Sequence, residues 1–379
     1  MSRQQMIESL DSKMRSDREY FDRKGKLPSA RNPLKSYLVE ANVEGAQEGA
    51  KVLTDFFASD GIATKVLYQE TEDSTVHTIS VGKKATEFWL DTLDDRYWIL
   101  HTSGTAGDAD SAIRNLVNNS RYLDSIWMPT RFFESTISSL GLARNLTAKF
   151  SIRTGLYQES LPEDDFLDGS LLFRIGAAEN ALARWLEYRS IPELSQSLAL
   201  WSAKIVRRED SEEDVFAGMA IDDVTASGKV TARGNSFYTH QELLQVLKNQ
   251  YAALIDSWES KYRLTWSDTS GRLKPSGTVA VISFPNGLTP DQLEGLVGQL
   301  FDSGEPYRLY ARPQLQGESR VVAHAIDLHT GDKINFEITQ EFMHIYLFPT
   351  TCGNVLARLI TNLQHFYDAR IELSVMGHE

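Results

Sequence analysis

The chain has very little cysteine and no long apolar run. Cys352 is the only cysteine in 379 residues, which excludes intrachain disulfides and zinc sites built from several cysteines. No apolar stretch approaches the roughly 20 residues that a membrane-spanning helix needs. The N-terminus lacks the charged-then-apolar pattern of a signal peptide. These absences predict a cytoplasmic protein that makes no membrane contact.

Acidic residues outnumber basic ones, except at the N-terminus. The net charge is −13, which opposes generic binding to a phosphate backbone. Residues 1–35 nevertheless hold nine Lys and Arg against five acids, so they carry +4 and the remaining chain carries −17. Residues 1–36 therefore read as a basic arm for a nucleic acid or an acidic partner, or else as a solvated helix of mixed charge. Its candidate contacts are Arg15, Arg18, Arg23, Lys24 and Lys26.

Cofactor and metal motifs are missing as well. There is no Gly-rich phosphate loop ending in Lys-Ser or Lys-Thr, and no His-Glu-x-x-His pair. His324 and His329 are an odd number of residues apart, so on one strand they would point to opposite faces. Acidic clusters at 159–168 and 209–214 offer oxygen ligands for magnesium, although carboxylates in loops are usually solvated charge. The sequence therefore predicts no cofactor and no metal site.

What the sequence does contain is one order of elements that occurs twice. Residues 46–128 and 289–373 each read as an amphipathic helix, three or four short strands and a second helix. A capping box over Thr289–Gln292 marks the opening helix of the second copy. Residues 129–266 follow the theme less regularly and give a third candidate copy. The alternative to a repeat is that α+β units share this pattern without common ancestry.

The element order predicts the architecture. We expect an α+β fold of two or three helix–antiparallel-sheet–helix units, with the helices packed on one face of each sheet. The units are residues 37–128, 129–266 and 279–379, the last similar to the first, and residues 267–278 read as a linker. The alternation of residues 333–339 indicates a strand with one wet face.

Two local segments have candidate chemistry. Residues 101–108 join a strand to a helix through small and hydroxyl side chains, which can hold an anion at a helix N-terminus; a capped helix start is the alternative. Cys352 lies at the start of the closing helix, where the thiol pKa can fall far enough for nucleophilic chemistry. The alternative is a small buried residue, since nothing in the sequence brings His344 to the sulfur.

One predicted strand offers a binding face, called here the 308–312 face. Arg308, Tyr310 and Arg312 alternate along the strand and share one side of it, so two cations flank one ring. Such a face can stack a base and contact phosphates. An edge strand whose arginines extend toward solvent is the alternative.

These features lead to three functional hypotheses. The first is a non-enzymatic α+β repeat scaffold that recognises a protein partner within a larger cytosolic assembly. The second is a nucleic-acid-associated accessory protein that uses the basic arm and the 308–312 face. The third is a hydrolase whose site is assembled from scattered acids and histidines, first of all Asp91, His101, His77 and Asp108. The lack of a catalytic motif favours a protein that is not an enzyme, and the oligomeric state is left open.

Overall fold

The computed structural model describes residues 2–26, 31–43, 57, 66–151, 170–176, 180–208, 218–269, 272–302, 304–317 and 319–375. These residues form eight helices, two large antiparallel sheets and a separate two-stranded hairpin. The predicted α+β class is therefore confirmed. Within the described ranges, no helix is both long and apolar enough to cross a membrane.

Helices and strands are interspersed along the chain. The helices are α1 (Arg3–Lys24), α2 (Ala106–Asn118), α3 (Thr130–Leu140), α4 (Ala181–Arg189), α5 (Pro192–Ser195), α6 (Phe237–Tyr262), α7 (Pro290–Phe301) and α8 (Asn354–Phe366). The strands of the first sheet are β1 (Leu34–Ala41), β2 (Val66–Gln69), β3 (Val76–Val81), β4 (Thr86–Asp91), β5 (Tyr97–Thr102), β6 (Leu123–Ser125), β7 (Leu142–Ser151), β8 (Ser170–Gly176), β9 (Leu200–Arg208), β10 (Met219–Thr225) and β11 (Lys229–Gly234). The hairpin is β12 (Thr265–Thr269) and β13 (Arg272–Ser276). The second sheet contains β14 (Ala280–Ser283), β15 (Leu309–Tyr310), β16 (Gln314–Gln316), β17 (Arg320–Asp327), β18 (Lys333–Ile338), β19 (Phe342–Leu347) and β20 (Leu373–Val375).

The first sheet contains strands from two of the predicted units. Its strand order is β2-β3-β4-β5-β1-β11-β10-β9-β7-β8, and β6 also pairs with β1. β1 makes the connection, because it pairs with β5 on one side and with β11 on the other. The predicted units 37–128 and 129–266 thus share one continuous sheet. β1 begins at Leu34, inside the segment that was predicted as an arm.

The second sheet repeats the order of the first unit. Its strands run β15-β17-β18-β19-β14-β20, with β16 paired to β17, and the first unit runs β2-β3-β4-β5-β1-β6. In the first unit, the opening strand β1 lies between β5, the last strand of the meander, and β6, the strand that follows α2. In the second sheet, the opening strand β14 lies in the same way between β19 and β20, the strand that follows α8. This common order supports the repeat, which stays a prediction. The opening helix within 46–57 (apart from Phe57) and the acidic clusters at 159–168 and 209–214 lie outside the described residues.

Local signals explain several element boundaries. The capping box of α7 is present: the Gln292 N–H donates to Thr289 Oγ1 at 3.2 Å, and the Thr289 N–H donates to Gln292 Oε1 at 2.9 Å. In β18, Ile334, Phe336 and Ile338 are buried and their neighbours are not, as the alternation predicts. Residues 267–269 and 272–276 of the predicted linker lie on the paired strands β12 and β13, and the division into units that it marks stays a prediction.

α6 is a 26-residue helix that connects the two sheets. Leu243 and Leu244 pack into the core beneath the first sheet, and Tyr262 at its end packs into the core of the second. Just beyond α6, the Leu264 N–H donates to the carbonyl of Leu347 on β19 at 2.9 Å. In the second sheet, α7 and α8 pack in one core against the strands. In the first sheet, β1 is buried on both faces. α2 covers one face, and α1 and α6 cover the other.

The N-terminal segment is a docked helix, which corrects the prediction of an arm. Met6, Ile7, Leu10 and Met14 of α1 are buried against the first sheet and Phe237. These residues recur every three or four positions, so a narrow apolar stripe is enough to hold the helix to the body.

The positive charge of α1 is largely neutralised within the helix. Four of its cations form ion pairs with acids four residues away on the same helix. Such pairs cancel charge over a few ångströms, so α1 attracts phosphates less strongly than its composition suggested. Lys24 and Lys26 are exposed and make no ion pair within the described ranges. The paired cations are Lys13 with Asp17, Arg15 with Asp11, Arg18 with Asp22 and Arg23 with Glu19.

α8 is buried on all sides, from Asn354 to His365. Its apolar face packs on the second sheet through residues such as Leu356 and Leu363. Its polar face lies against the first sheet and its helices, where the Gln364 side chain accepts from the Thr130 N–H at 2.8 Å. This polar face forms part of the contact between the two sheets, and the site described next lies along it.

Candidate functional site

A cleft of about 770 Å³ lies between α2 and α8, the helices that close the first and last units. Ile113, Arg114 and Val117 of α2 line it from one side, and His365 and Phe366 of α8 line it from another. Strands β1, β7 and β9 and the β10–β11 turn supply further walls. The cleft therefore lies where the two sheets meet.

Four cations and three carboxylates line the cleft of this acidic chain. One carboxylate, Asp110, accepts hydrogen bonds from Lys229 Nζ at 2.7 Å and from the Tyr37 hydroxyl at 2.6 Å. Burial, together with the bond to Asp110, raises the pKa of Tyr37, so its hydroxyl remains a donor. Asp110 is thereby neutralised by Lys229.

A second carboxylate, Asp124, is neutralised by two arginines. It forms ion pairs with Arg358 and, at 3.4 Å, with Arg308. Burial alone would raise the pKa of Asp124, but the two guanidinium groups outweigh burial and hold that pKa below its usual range. Arg358 also pairs with Asp327. One buried guanidinium therefore joins β6 of the first sheet to β17 of the second.

Arg114 and Lys149 are the cleft cations without a carboxylate partner. Arg114 is exposed on α2, Lys149 is half-buried on β7, and neither makes an ion pair within the described part of the chain. Lys149 Nζ lies 5.1 Å from the centre of the Trp201 ring. The third carboxylate, Glu305, is exposed and accepts a hydrogen bond from Asn118. The cleft thus has two cations, Arg114 and Lys149, that no carboxylate of the described residues pairs with.

Aromatic side chains supply the apolar surface of the cleft. Trp127, Trp201 and Phe366 are half-buried there. The Trp201 ring lies 5.3 Å from the His365 ring, with an angle of 80° between the two planes. Cations beside partly exposed rings are an arrangement that binds planar anions, because the ring stacks while the cation pairs with charge.

His365 lines this cleft and has an unused hydrogen-bond acceptor. Its Nδ1 lies 2.9 Å from the main-chain carbonyl of Lys149. Since a carbonyl only accepts, Nδ1 carries the proton and Nε2 carries the lone pair. Nε2 is buried and has no hydrogen-bond partner among the described residues. Burial lowers the pKa of His365 to about 4, so the ring is neutral at pH 7.

The structure separates the residues of the 308–312 face. Arg308 has a φ of +52° and is buried, and its guanidinium donates to the carbonyls of Ser120 at 2.9 Å and Leu123 at 3.1 Å. Tyr310 and Arg312 are exposed. The prediction of a shared face is therefore wrong, because Arg308 turns inward to hold the two sheets together.

The acids and histidines of the hydrolase hypothesis have separate partners. Asp91 pairs with Arg3 of α1, and His77 is bonded to the Tyr68 hydroxyl at 2.8 Å. His77 is fully buried, and burial lowers its pKa. The charge of Asp91 acts on both His77 and His101, and none of these three residues lines the cleft between α2 and α8.

Residues 101–108 form a capped helix start. Thr105 Oγ1 accepts from the Asp108 N–H at 3.2 Å and closes the N-terminus of α2. Asp108 is also paired with Lys84 at 2.5 Å, and this bond holds the pKa of Asp108 below its usual value. The first turn of α2 thus has a carboxylate where an anionic ligand would have to bind.

His101 belongs to a buried network around Ser36. Ser36 Oγ lies 2.8 Å from His101 Nδ1 and 2.8 Å from His240 Nε2, and His240 Nδ1 lies 2.7 Å from Asp222 Oδ1. The order Ser–His–Asp is that of serine hydrolases. All four side chains are buried, however, and Ser36 lies in the middle of the sheet, with β5 and β11 paired on its two sides. The network therefore holds α6 on β1 and presents no accessible nucleophile in this conformation.

The buried neutral histidines predict a loss of stability in mild acid. Burial lowers the pKa of His101 to about 3, where His240 adds to the shift, and that of His365 to about 4. In the unfolded chain both titrate near 6.5. Below that pH the unfolded chain binds protons that the folded chain does not, so we expect the free energy of unfolding to fall between pH 6.5 and 4. Each histidine contributes up to about 1.4 kcal/mol per pH unit.

Urea unfolding at several pH values between 4 and 7 measures this effect. The His365→Gln variant should have a shallower slope below pH 6.5, whereas His324→Gln, at an exposed position on β17, should keep the slope of the unchanged protein. Equal slopes for all three proteins would contradict the assignment of His365 as a buried neutral group.

Cys352 is a buried residue, as the alternative interpretation predicts. Its thiol donates to Glu40 Oε2 at 3.2 Å. Burial raises the pKa of the Cys352 thiol well above its usual value, and the charge of Glu40 raises it further. His344 Nδ1 lies 3.8 Å from Glu337 Oε2, and no contact joins His344 to the sulfur among the described residues. The thiol is therefore a hydrogen-bond donor here and not a nucleophile.

Slow reaction with a thiol reagent is the expected consequence. In the native protein we expect Cys352 to react with dithionitrobenzoate far more slowly than a free thiol, because both exposure and thiolate formation are suppressed. The same protein in urea should react at the free-thiol rate and release one thiol per chain. A native rate equal to the unfolded rate would show that the sulfur is accessible.

Among the described residues, Glu40, His329 and Cys352 form a group whose distances could suit a metal ion. Their ligand atoms all lie within 4.8 Å of one another. Arg96 already supplies positive charge to this group, because its Nε lies 2.6 Å from Glu40 Oε1 and its Nη2 lies 3.5 Å from Cys352 Sγ. A metal ion would have to displace the thiol proton and lie beside this cation. The residues present therefore fit an ion pair better than a metal, and His324 lies apart from them on the exposed side of β17.

Sequence reasoning missed Lys149, Trp201 and His365. They belong to β7, β9 and α8, and only long-range pairing brings them together. One signal was available. Arg358, Asn362 and His365 recur on α8 at i, i+4 and i+7, a polar stripe that resembles a solvent-facing side but is buried in the structure.

Comparison with known proteins gives the family of this chain. A protein of Methanocaldococcus jannaschii, the uncharacterized protein MJECL33, is 24% identical over an alignment of 413 residues, which covers 99% of this chain and 94% of that protein. The family model described as MJECL33-like protein matches residues 1–379. The chain thus belongs to the MJECL33-like protein family.

Proposed function

We propose that the protein binds an anionic molecule with a planar ring, of the size of a nucleotide, in the cleft between α2 and α8. The observation that carries the proposal is the presence of two cations without carboxylate partners, Arg114 and Lys149, in a cleft with the half-buried ring of Trp201. In a chain of net charge −13, such cations attract an anion that most of the surface repels.

The size and composition of the cleft support this proposal. A volume of about 770 Å³ falls within the range of roughly 300–1,000 Å³ that small-molecule sites occupy. The hydroxyl group of Ser227 lines the same cleft as Lys229 and can bond to a sugar or a phosphate, whereas Thr225 Oγ1 already bonds to the main chain of Lys229. Stacking of a base on an aromatic side chain contributes about 1–3 kcal/mol.

The hypotheses from the sequence relate to this proposal in different ways. A nucleotide within a nucleic-acid strand presents the same ring and phosphate, so the nucleic-acid hypothesis now points to the cleft instead of α1, whose cations are mostly paired. The scaffold hypothesis rests on the acidic body and the predicted repeat, and the hydrolase hypothesis on scattered acids and histidines. Both stay predictions.

Calorimetric titration of the full chain with AMP tests the proposal. We expect binding that weakens from low to physiological salt, since the phosphate pairs with cations that are partly exposed. Replacing Lys149 by alanine should weaken binding about tenfold or more, because a charge-assisted hydrogen bond contributes about 1.5–3 kcal/mol. The lost binding free energy would come from the contact with the ligand, since Lys149 has no carboxylate partner within the described residues whose loss could contribute.

Lys83→Ala is the matched control. Lys83 is an exposed lysine in the turn between β3 and β4, outside the cleft lining, so its removal should leave AMP binding unchanged. Ribose 5-phosphate, which lacks the ring, should bind more weakly than AMP. Absence of AMP binding at millimolar concentration, or equal effects of the two lysine substitutions, would refute the proposal.

A further inference from the structure

The strongest unassigned feature of the cleft is the buried lone pair on His365 Nε2. His365 is only 5% exposed, and the bond from its Nδ1 to the carbonyl of Lys149 fixes which nitrogen carries the proton. Nε2 has no hydrogen-bond partner among the described residues. A buried acceptor left unpaired costs about 1–3 kcal/mol. A ligand that donates a hydrogen bond to this nitrogen would recover that free energy.

The surroundings of Nε2 limit what such a ligand can be. The Trp201 ring lies next to the His365 ring at an angle of 80°, and Trp201 and His365 line the same cleft. Asn362 also lines it, and its Nδ2 already donates to the carbonyl of Arg358 at 2.7 Å, which leaves the amide oxygen as a further acceptor. The α8 side of the cleft therefore offers acceptors beside a stacking surface.

We propose that His365 selects a ligand whose ring bears an exocyclic amino group, as in adenine or cytosine nucleotides, by accepting a hydrogen bond from that group at Nε2. This inference rests on the proposed function. An amino group supplies two hydrogens, one for Nε2 and one for a second acceptor. The ring N–H of hypoxanthine has one adjacent carbonyl oxygen and that of uracil has two, and these lone pairs would lie close to the lone pair of Nε2.

Deleting the amino group from the ligand tests this without changing the protein. Purine riboside 5′-monophosphate has the ring, sugar and phosphate of AMP and lacks the amino group. We expect the full chain to bind AMP about tenfold more tightly, which corresponds to one hydrogen bond to a buried acceptor. IMP, with a keto oxygen in place of the amino group, should also bind more weakly than AMP, and UMP more weakly than CMP.

His365→Leu supplies the complementary deletion on the protein side. In this variant the advantage of AMP over purine riboside 5′-monophosphate should disappear, while both nucleotides still bind. A merely structural role for His365 would weaken both ligands equally and keep their ratio. Thermal unfolding checks that the variant is folded, and the comparison of ligands on the unchanged protein remains decisive if it is not.

The outcomes separate this inference from the proposed function. If AMP and its deaminated analogue bind equally and Lys149→Ala weakens both, the ligand site stands and the selection by His365 is overturned. If IMP binds more tightly than AMP, the amino-group assignment is likewise overturned. If none of these nucleotides binds, the proposed function fails and the inference fails with it.

Discussion

Replacing Arg358 by methionine is expected to lower the free energy of unfolding by about 3–5 kcal/mol, one of the largest effects of any single change in this chain. Arg358 is fully buried and pairs with Asp124 and Asp327, which belong to different sheets. Burial alone would lower the pKa of Arg358, but the two carboxylates outweigh it and raise that pKa. Without the guanidinium, two buried carboxylates lose their main counter-charge, so the junction of the sheets should open first.

Urea unfolding of Arg358→Met measures this cost, with Arg184→Met as the matched control. Arg184 forms an exposed i,i+3 pair with Glu187, so its loss should cost well under about 1 kcal/mol. Adding Asp327→Asn to Arg358→Met should restore part of the stability, because it removes one of the two buried carboxylates that lost their counter-charge. A cost for Arg358→Met as small as that of the control would mean that the buried pair does not hold the sheets together.

Replacing Trp201 by alanine is expected to weaken AMP binding by a factor of about 5–150. The range corresponds to the roughly 1–3 kcal/mol that a base gains by stacking on an aromatic side chain. Trp201 is half-buried, and its ring lies beside Lys149 and His365. Its loss removes the stacking surface and also leaves Lys149 without the ring that it lies over.

Two further variants show whether the ring itself is responsible. Trp201→Phe keeps a smaller aromatic surface and should weaken AMP binding less than Trp201→Ala. Trp266→Ala removes a tryptophan that is 69% exposed on β12, outside the cleft lining, and should leave the affinity unchanged. Calorimetric titration measures all three variants, and equal affinities for Trp201→Ala and Trp266→Ala would count against stacking in the cleft.

Local patterns were sufficient to predict much of the fold. The alternation in β18 and the capping box of α7 depend on residues within a few positions of one another, so both can be read from the sequence. The pairing of β1 with β11 joins residues that are about two hundred positions apart, and no local pattern reports it. For the same reason the docking of α1 and the sharing of one sheet by two predicted units were not predicted.

The candidate site was less accessible to sequence reasoning than the fold. Arg308 was assigned to an exposed face because alternation assumes a continuous strand, whereas its positive φ ends that alternation and turns the guanidinium inward. The cleft cation Lys149 and its ring Trp201 are separated by about fifty positions and lie on β7 and β9. The polar stripe of α8 was visible, but amphipathicity alone does not distinguish a face toward solvent from a face toward another sheet.

Photolabelling with 8-azido-AMP tests most directly that the cleft is the ligand site. The full chain is irradiated with the probe, digested, and analysed by mass spectrometry to locate the modified peptides. We expect modification of peptides that line the cleft, from β7, β9 and α8, and we expect excess AMP to suppress it. Modification confined to α1 or to other peptides outside the cleft, or modification that AMP does not suppress, would contradict a ligand site between α2 and α8.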